Sequence, residues 1–275
     1  MTRAAFIDRQ DNGPTRWRAA ALFLFVLGVA VAVRARDFGN PIIHVDEQYY
    51  LLVGDHMLHG ALPYVDIWDR KPVGLFLIFA AIRLLPGDGI LACQLVATLF
   101  AAATAWLVAA GGRRLGATPF GALAGALAYV VWLSFLSGRG GQSPVFYNLF
   151  VAGAGVLTLR LPELAAAGRV RAIVANGAAA CLLAGLAIQT KYTPVVEGAF
   201  FGLAHLWFLR RAGGSWTTMI VAAPAQQSTA RPNGSPASVA SVSAAHRRWR
   251  RGPGSARKVV TSTRTRVAPP AARNS

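Results

Sequence analysis

Apolar residues in this chain fall in long unbroken runs, and the polar residues collect between them. Charge-free stretches cover 19–33, 90–112, 115–138, 140–159 and 172–190, and a sixth run, 192–209, is interrupted only by Glu197. A helix needs about 20 mostly apolar residues to cross a bilayer, so these runs predict about six transmembrane helices. The first is short, but Trp17 can sit at the interface and Arg18 and Arg34 can snorkel. Its basic flank has no small-residue cleavage site, which predicts an uncleaved anchor. The run 73–85 is too short for a comfortable span. If it does not cross, the basic clusters at Arg3–Arg18, Arg113–Arg114, Arg160–Arg171 and Arg210–Arg211 all fall on one side. If it does cross, every later cluster falls on the wrong side of the positive-inside rule. The pattern therefore predicts a juxtamembrane helix over 73–85, lying at the outer face.

Composition agrees with this reading. Hydrophobic residues make up 54% of the 275 residues and charged residues 14%, against about 25% charged in soluble domains. The expected fold class is an all-α polytopic membrane protein with a cytoplasmic N-terminus. Residues 1–18 form the cytoplasmic N-terminus, 19–211 the transmembrane domain and 35–89 its first outer loop. Residues 212–275 form a basic low-complexity tail. Cys93 and Cys181 both lie in apolar runs and read as buried small hydrophobes, not as a disulfide.

The net charge of +17 is concentrated at the C-terminal end, where 210–275 holds twelve Lys or Arg and no acid. Such a tail invites a nucleic-acid or anionic-lipid reading. Its only aromatic residues, Trp216 and Trp249, offer little stacking platform, so no nucleic-acid partner is expected. Low hydrophobicity with high charge predicts disorder over 226–275.

Five of the eleven acids, Asp46, Glu47, Asp55, Asp66 and Asp69, fall in one stretch, 44–72, directly after the first span. Asp46 and Glu47 suit a helix N-terminus, where the dipole favours negative charge. On that helix Asp46 and Tyr50 share a face, while Glu47 lies about 100° away, so the two carboxylates need not share a role. A carboxylate held beside a membrane can act as a general base, bind a metal, or simply cap its helix. His44, His56 and His59 lie in the same stretch, without zinc-ligand spacing. Lys71, followed by Pro72, can meet a lipid headgroup or a substrate phosphate. Lys191 and Glu197 lie near the outer ends of the last two spans, where an ionisable residue is a functional candidate.

These motifs come in a recognisable order: Asp46-Glu47-x-x-Tyr50, then Gly60-Ala-Leu-Pro-Tyr64, then Trp68-Asp-Arg-Lys71-Pro72, then a short apolar helix. The order resembles the GT-C class of polyprenyl-phosphate-sugar-dependent membrane glycosyltransferases, including protein O-mannosyltransferase (family 39) and aminoarabinose transferase relatives. Gly185-Leu-Ala-Ile-Gln-Thr-Lys191-Tyr192 also looks like the stretch near that family's fifth span. The resemblance covers roughly 15–211. It implies inverting transfer of a hexosyl or pentosyl group from a polyprenyl-phosphate donor to a lipid, glycan or protein acceptor at the outer face. It further implies Asp46 as catalytic base or metal ligand, with a divalent metal possible, and Glu47 and Tyr50 as its supports. Lys71 is implied as donor-phosphate ligand, with Tyr64, Lys191 and Glu197 joining the substrate site.

The chain departs from that family in two places. The loop 137–148, SGRGGQSPVFYN, lacks the second acid that many relatives carry there. The spans stop at six, about half the usual number, and the Arg/Ala/Pro/Ser-rich tail reads as out-of-frame translation beginning near 211–225. The implied enzyme is thus a truncated form, with the activity of the short chain left open. The competing reading is a non-enzymatic transporter or lipid-binding protein. A transporter favours charges near the midplane, whereas here they cluster at the outer rim.

Overall fold

Each apolar run folds as a helix, and among the described residues side chains in the polar breaks cap two of the helices. The computed structural model describes residues 16–214; the tail from 215 onward, with its predicted disorder and reading-frame boundary, lies outside the described residues. The elements are α1 (Arg16–Arg34), α2 (Val45–Leu58), α3 (Val73–Arg83), α4 (Gly89–Arg114), α5 (Pro119–Phe135), α6 (Ser143–Thr158), α7 (Leu161–Ala166), α8 (Val170–Thr190) and α9 (Val195–Arg211). Among the described residues the only β feature is an isolated bridge between Pro63 and Ile67. Four segments, Arg16–Asp37, Gly89–Arg114, Ser143–Ala166 and Val170–Thr190, are helical, long and apolar enough to cross a membrane. Helices α3 and α5 are apolar but shorter, and α9 has 17 residues.

Local chemistry sets the ends. Asp88 caps α4, its Oδ1 accepting from the backbone N–H of Ile90 at 2.7 Å and Leu91 at 3.1 Å. Thr118 caps α5 by accepting from Gly121 N–H at 3.0 Å, and Pro119 follows at the first helical position. Helix α2 ends at Gly60, whose φ of +97° suits only glycine well. There Ala61 N–H donates to the His56 carbonyl and Gly60 N–H to that of Met57, a Schellman closure.

Two kinds of packing hold the bundle. Where α1, α4 and α5 meet, the buried residues are nearly all small: Ala30, Ala102, Ala105, Ala109, Ala122 and Ala126. Lipid gives no hydrophobic drive between helices, so close backbone approach through small side chains is what associates them. Where α2 and α3 fold onto α4 and α6, the core is aromatic, with Tyr50, Phe76, Phe79 and Phe146 in edge-to-face or tilted contacts. Gly54 lets α2 lie directly on α3, since a Cβ there would sit 2.7 Å from Ala80 N. On α8 and α9, His205 is buried: its Nδ1 lies 2.7 Å from the Phe201 carbonyl and its Nε2 lies 3.2 Å from Asn176 Nδ2. Asn176 Nδ2 also donates to the Leu157 carbonyl of α6 at 2.7 Å, so one polar network joins three helices.

Two expectations change. Cys93 is buried, but Cys181 is exposed on the outer surface of α8; an apolar run fixes which residues are helical, not which face turns inward. Arg34 does not snorkel: it is 1% exposed and folded into the protein.

Candidate functional site

The α2–α3 pair gathers the ends of several helices around it. Arg34 arrives from the end of α1, Gln94 from the start of α4, Gly140 and Gly141 from the α5–α6 loop, and Gln189 from the end of α8. Gln94 is buried and fixes the segment before α2, accepting from Gly39 N–H at 2.7 Å and donating to the Asn40 carbonyl at 3.0 Å.

The adjacent carboxylates Asp46 and Glu47 part company at the first turn of α2, as the helical offset implies. Asp46 is exposed and makes no hydrogen bond or ion pair with the described residues. Glu47 is 4% exposed and lies beneath the helix against the α5–α6 loop. Burial pushes its carboxyl up to about 7, opposed by the Gly141 N–H and the Arg34 guanidinium and assisted by Asp46. Arg34 donates to the Gly140 carbonyl at 2.8 Å. Glu47 Oε1 and Arg34 Nε and Nη1 are buried without hydrogen-bond partners among the described residues.

Tyr50, one turn after Asp46, is 2% exposed and packs between Phe76 and Phe79. Burial raises its hydroxyl well above the ordinary tyrosine range, with Asp46 and then Asp69 adding to the effect and Arg70 opposing it. The ring therefore belongs to the aromatic core, and Asp46, Asp69 and Arg70 lie near enough to its hydroxyl to act on it through their charges. Tyr49 is likewise raised, by desolvation and then Asp69, and its hydroxyl donates to the Trp68 carbonyl at 3.3 Å.

The loop between α2 and α3 is tied to itself. Tyr64 has a φ of +69°, a costly conformation for a bulky residue. It is held there by its N–H donating to the Ile67 carbonyl and its hydroxyl donating to the Lys71 carbonyl, both at 2.7 Å. Lys71 N–H in turn donates to Asp69 Oδ1 at 2.9 Å, and the Lys71 ammonium has no ion-pair partner among the described residues. Just beyond, Gly74 touches the end of α8: a Cβ there would meet the Gln189 carbonyl oxygen at 2.5 Å. The Tyr64 hydroxyl is raised by desolvation and then by Tyr192 and Asp69. Tyr64, Lys71 and the Lys191–Tyr192 corner are thus neighbours in the fold, although far apart in sequence. Lys191 is half-buried at the C-terminal cap of α8. Glu197 stands apart, exposed in the first turn of α9 and without an ion pair among the described residues.

The metal alternative finds no donor set: among the described residues no three His, Cys, Asp or Glu converge. His59 lies 3.9 Å from Asp55, whose Oδ1 already accepts from Arg83 Nε and Nη2 at 3.1 and 3.0 Å. The cavity of about 460 Å³ between α2, α3 and the start of α4 is lined by Gln48, Asp55 and Arg83, and excludes both Asp46 and Lys71. Sequence reasoning missed Arg34, Gly140 and Gly141, which sit under the acidic helix. The three glycines of SGRGG were the available signal, since a loop that must approach another backbone closely is rich in glycine. Compared with protein-family models, with curated proteins and with solved structures, the chain returns no match.

Proposed function

We propose that this chain is a glycosyltransferase of the GT-C type, moving a sugar from a polyprenyl-phosphate donor to a hydroxyl acceptor at the outer face of a bacterial plasma membrane. The observation that carries the reading is Asp46: an exposed carboxylate in the first turn of α2, with no hydrogen-bond or ion-pair partner among the described residues, on the helix whose following loop ends at the unpaired Lys71 ammonium. Its neighbour Glu47 is withdrawn into the protein, so of the adjacent pair only Asp46 stands at the surface to act as base.

Six spans, α1, α4, α5, α6, α8 and α9, fit the charge bias of the loops. They also fit the way the ends of α1, α5 and α8 and the starts of α4 and α6 meet around α2 and α3. On this topology α2 and α3 lie at the outer face, and Asp46 and Lys71 stand over the bilayer where a lipid-phosphate head comes to rest.

In the reaction, the Asp46 carboxylate takes the acceptor hydroxyl's proton as the oxygen bonds to the anomeric carbon from the face opposite the leaving group. The bond between that carbon and the phosphate oxygen breaks, and the electron pair leaves with the lipid phosphate. Positive charge from Lys71 meets the negative charge developing there. Lys191 adds to the positive field, and Tyr64 holds the Lys71 backbone in place.

The test is transfer of radiolabelled sugar from a polyprenyl-phosphate donor in proteoliposomes carrying the full chain, with donor binding measured alongside. The expected result is donor binding retained and transfer lost in Asp46→Asn. Transfer that survives this substitution, or a chain that neither binds nor turns over any such donor, overturns the proposal.

A further inference from the structure

A second groove, about 380 Å³, lies between the end of α1 and the end of α5, and shares no lining residue with the Asp46–Lys71 face. Its polar part is formed by Arg36, His44, Ser137 and Arg139, and its apolar wall includes Val131 and Phe135. No carboxylate lines it. The acid that organises it is underneath: Asp37, 6% exposed, lies 4.0 Å from Arg36 Nε and 3.6 Å from Arg139 Nη1. One buried carboxylate thus lies near two guanidiniums from different segments and balances the charge of only one. His44 Nε2 is buried without a hydrogen-bond partner among the described residues, which leaves one ring nitrogen free at the groove's polar end; Asp37 Oδ2 is also unpaired, but as an acceptor it calls for a donor and not for an anion. The groove's apolar wall continues outward onto Trp132 and Phe135, which are 66% and 77% exposed.

We propose that this groove binds the phosphate head of an anionic membrane lipid, between Arg36 and Arg139, with the start of the acyl chains against Val131 and Phe135. Paired guanidiniums suit a phosphate through charge and fork geometry. The apolar wall is useless to a free phosphate but completes a site for an amphiphile, and Trp132 beside it has the character of an interfacial residue. A site of this kind anchors the α5–α6 loop to the bilayer surface, and that loop is the one that packs under Glu47. The inference rests on the membrane reading alone and stands whether or not the chain transfers sugar.

The experiment is native mass spectrometry of the delipidated full chain titrated with palmitoyl-oleoyl phosphatidylglycerol or with phosphatidylcholine. The expected result is a phosphatidylglycerol-bound species favoured over phosphatidylcholine, weakened about fivefold by Arg36→Gln and again by Arg139→Gln. Arg139 neutralises a buried acid and its loss can disturb folding, so Arg139→Lys, which keeps the charge but not the fork, is expected to weaken binding less than Arg139→Gln. Arg36 has a largely exposed side chain and tests the site without that complication. Excess inorganic phosphate is expected to leave the lipid bound. Binding unchanged in Arg36→Gln, equal binding of the two lipids, or full displacement by inorganic phosphate would each overturn the proposal.

Discussion

The Glu47 carboxylate occupies the space that any side chain at Gly140 would need. The contact joins the first turn of α2 to the α5–α6 loop, and Arg34 closes it from α1 by bonding the Gly140 carbonyl. Gly140→Ala forces the buried acid or the loop to move, at a cost of about 1–3 kcal/mol for overpacking. Gly28 on α1 has nothing within 4 Å of its Cβ position, and Gly28→Ala is expected to be neutral or mildly stabilising. Thermal unfolding of the two variants in detergent checks the contrast.

The same contact gives stability a pH dependence. Folded, Glu47 holds its proton up to about 7; the ordinary value, 4.5, applies to the unfolded chain. Between these values the folded state binds more protons. The contribution is fully present below about 4.5 and is lost as pH rises toward 7, by an amount on the order of 3 kcal/mol. Glu47→Gln mimics the protonated form at every pH, so denaturant midpoints measured across this window should flatten relative to the wild type. A slope unchanged in Glu47→Gln would assign it to another group.

That Asp46 and Glu47 point apart was legible in the sequence, because a helix places adjacent residues about 100° apart; that Glu47 and not Asp46 is buried with Tyr50 was not. The long apolar runs were legible for a similar reason: hydrocarbon thickness sets a length that sequence can count. Partners across the bundle were not. Arg34 looks like a snorkelling end residue until Gly140 and Glu47 are placed beside it, and that contact spans 106 residues. Cys181 shows the corresponding loss on α8, where the apolar residues around it carry little pattern to say which face is covered. His205 reads as an ordinary residue in an apolar run, and only the fold supplies Asn176 as its partner.

Gly74 tests whether the approach of α3 to α8 matters for function. A methyl group there meets the Gln189 backbone, so Gly74→Ala pushes apart the segment carrying Lys71 and the corner carrying Lys191 and Tyr192. The expected result is a fall in kcat/KM of about tenfold or more, because small misplacements of positioning groups are costly, with far-ultraviolet circular dichroism unchanged. A variant with wild-type transfer would show that Lys191 and Tyr192 take no part in the site.

Lys71 and Tyr64 separate charge from scaffold. Lys71→Gln removes the cation while leaving the backbone carbonyl that accepts from Tyr64, and the Lys71 N–H bond to Asp69 also survives. If Lys71 meets charge that develops on the departing phosphate, its loss lowers kcat about 100-fold with a smaller change in KM. Tyr64→Phe keeps the cation and removes only the hydroxyl that ties the loop, at a cost of about 1 kcal/mol. Its φ of +69° leaves the loop dependent on such ties, so limited proteolysis between α2 and α3 should accelerate in Tyr64→Phe and stay at the wild-type rate in Lys71→Gln. Steady-state transfer kinetics on both variants complete the comparison. Equal kinetic loss in the two would mean that Lys71 acts through the loop's shape and not through its charge.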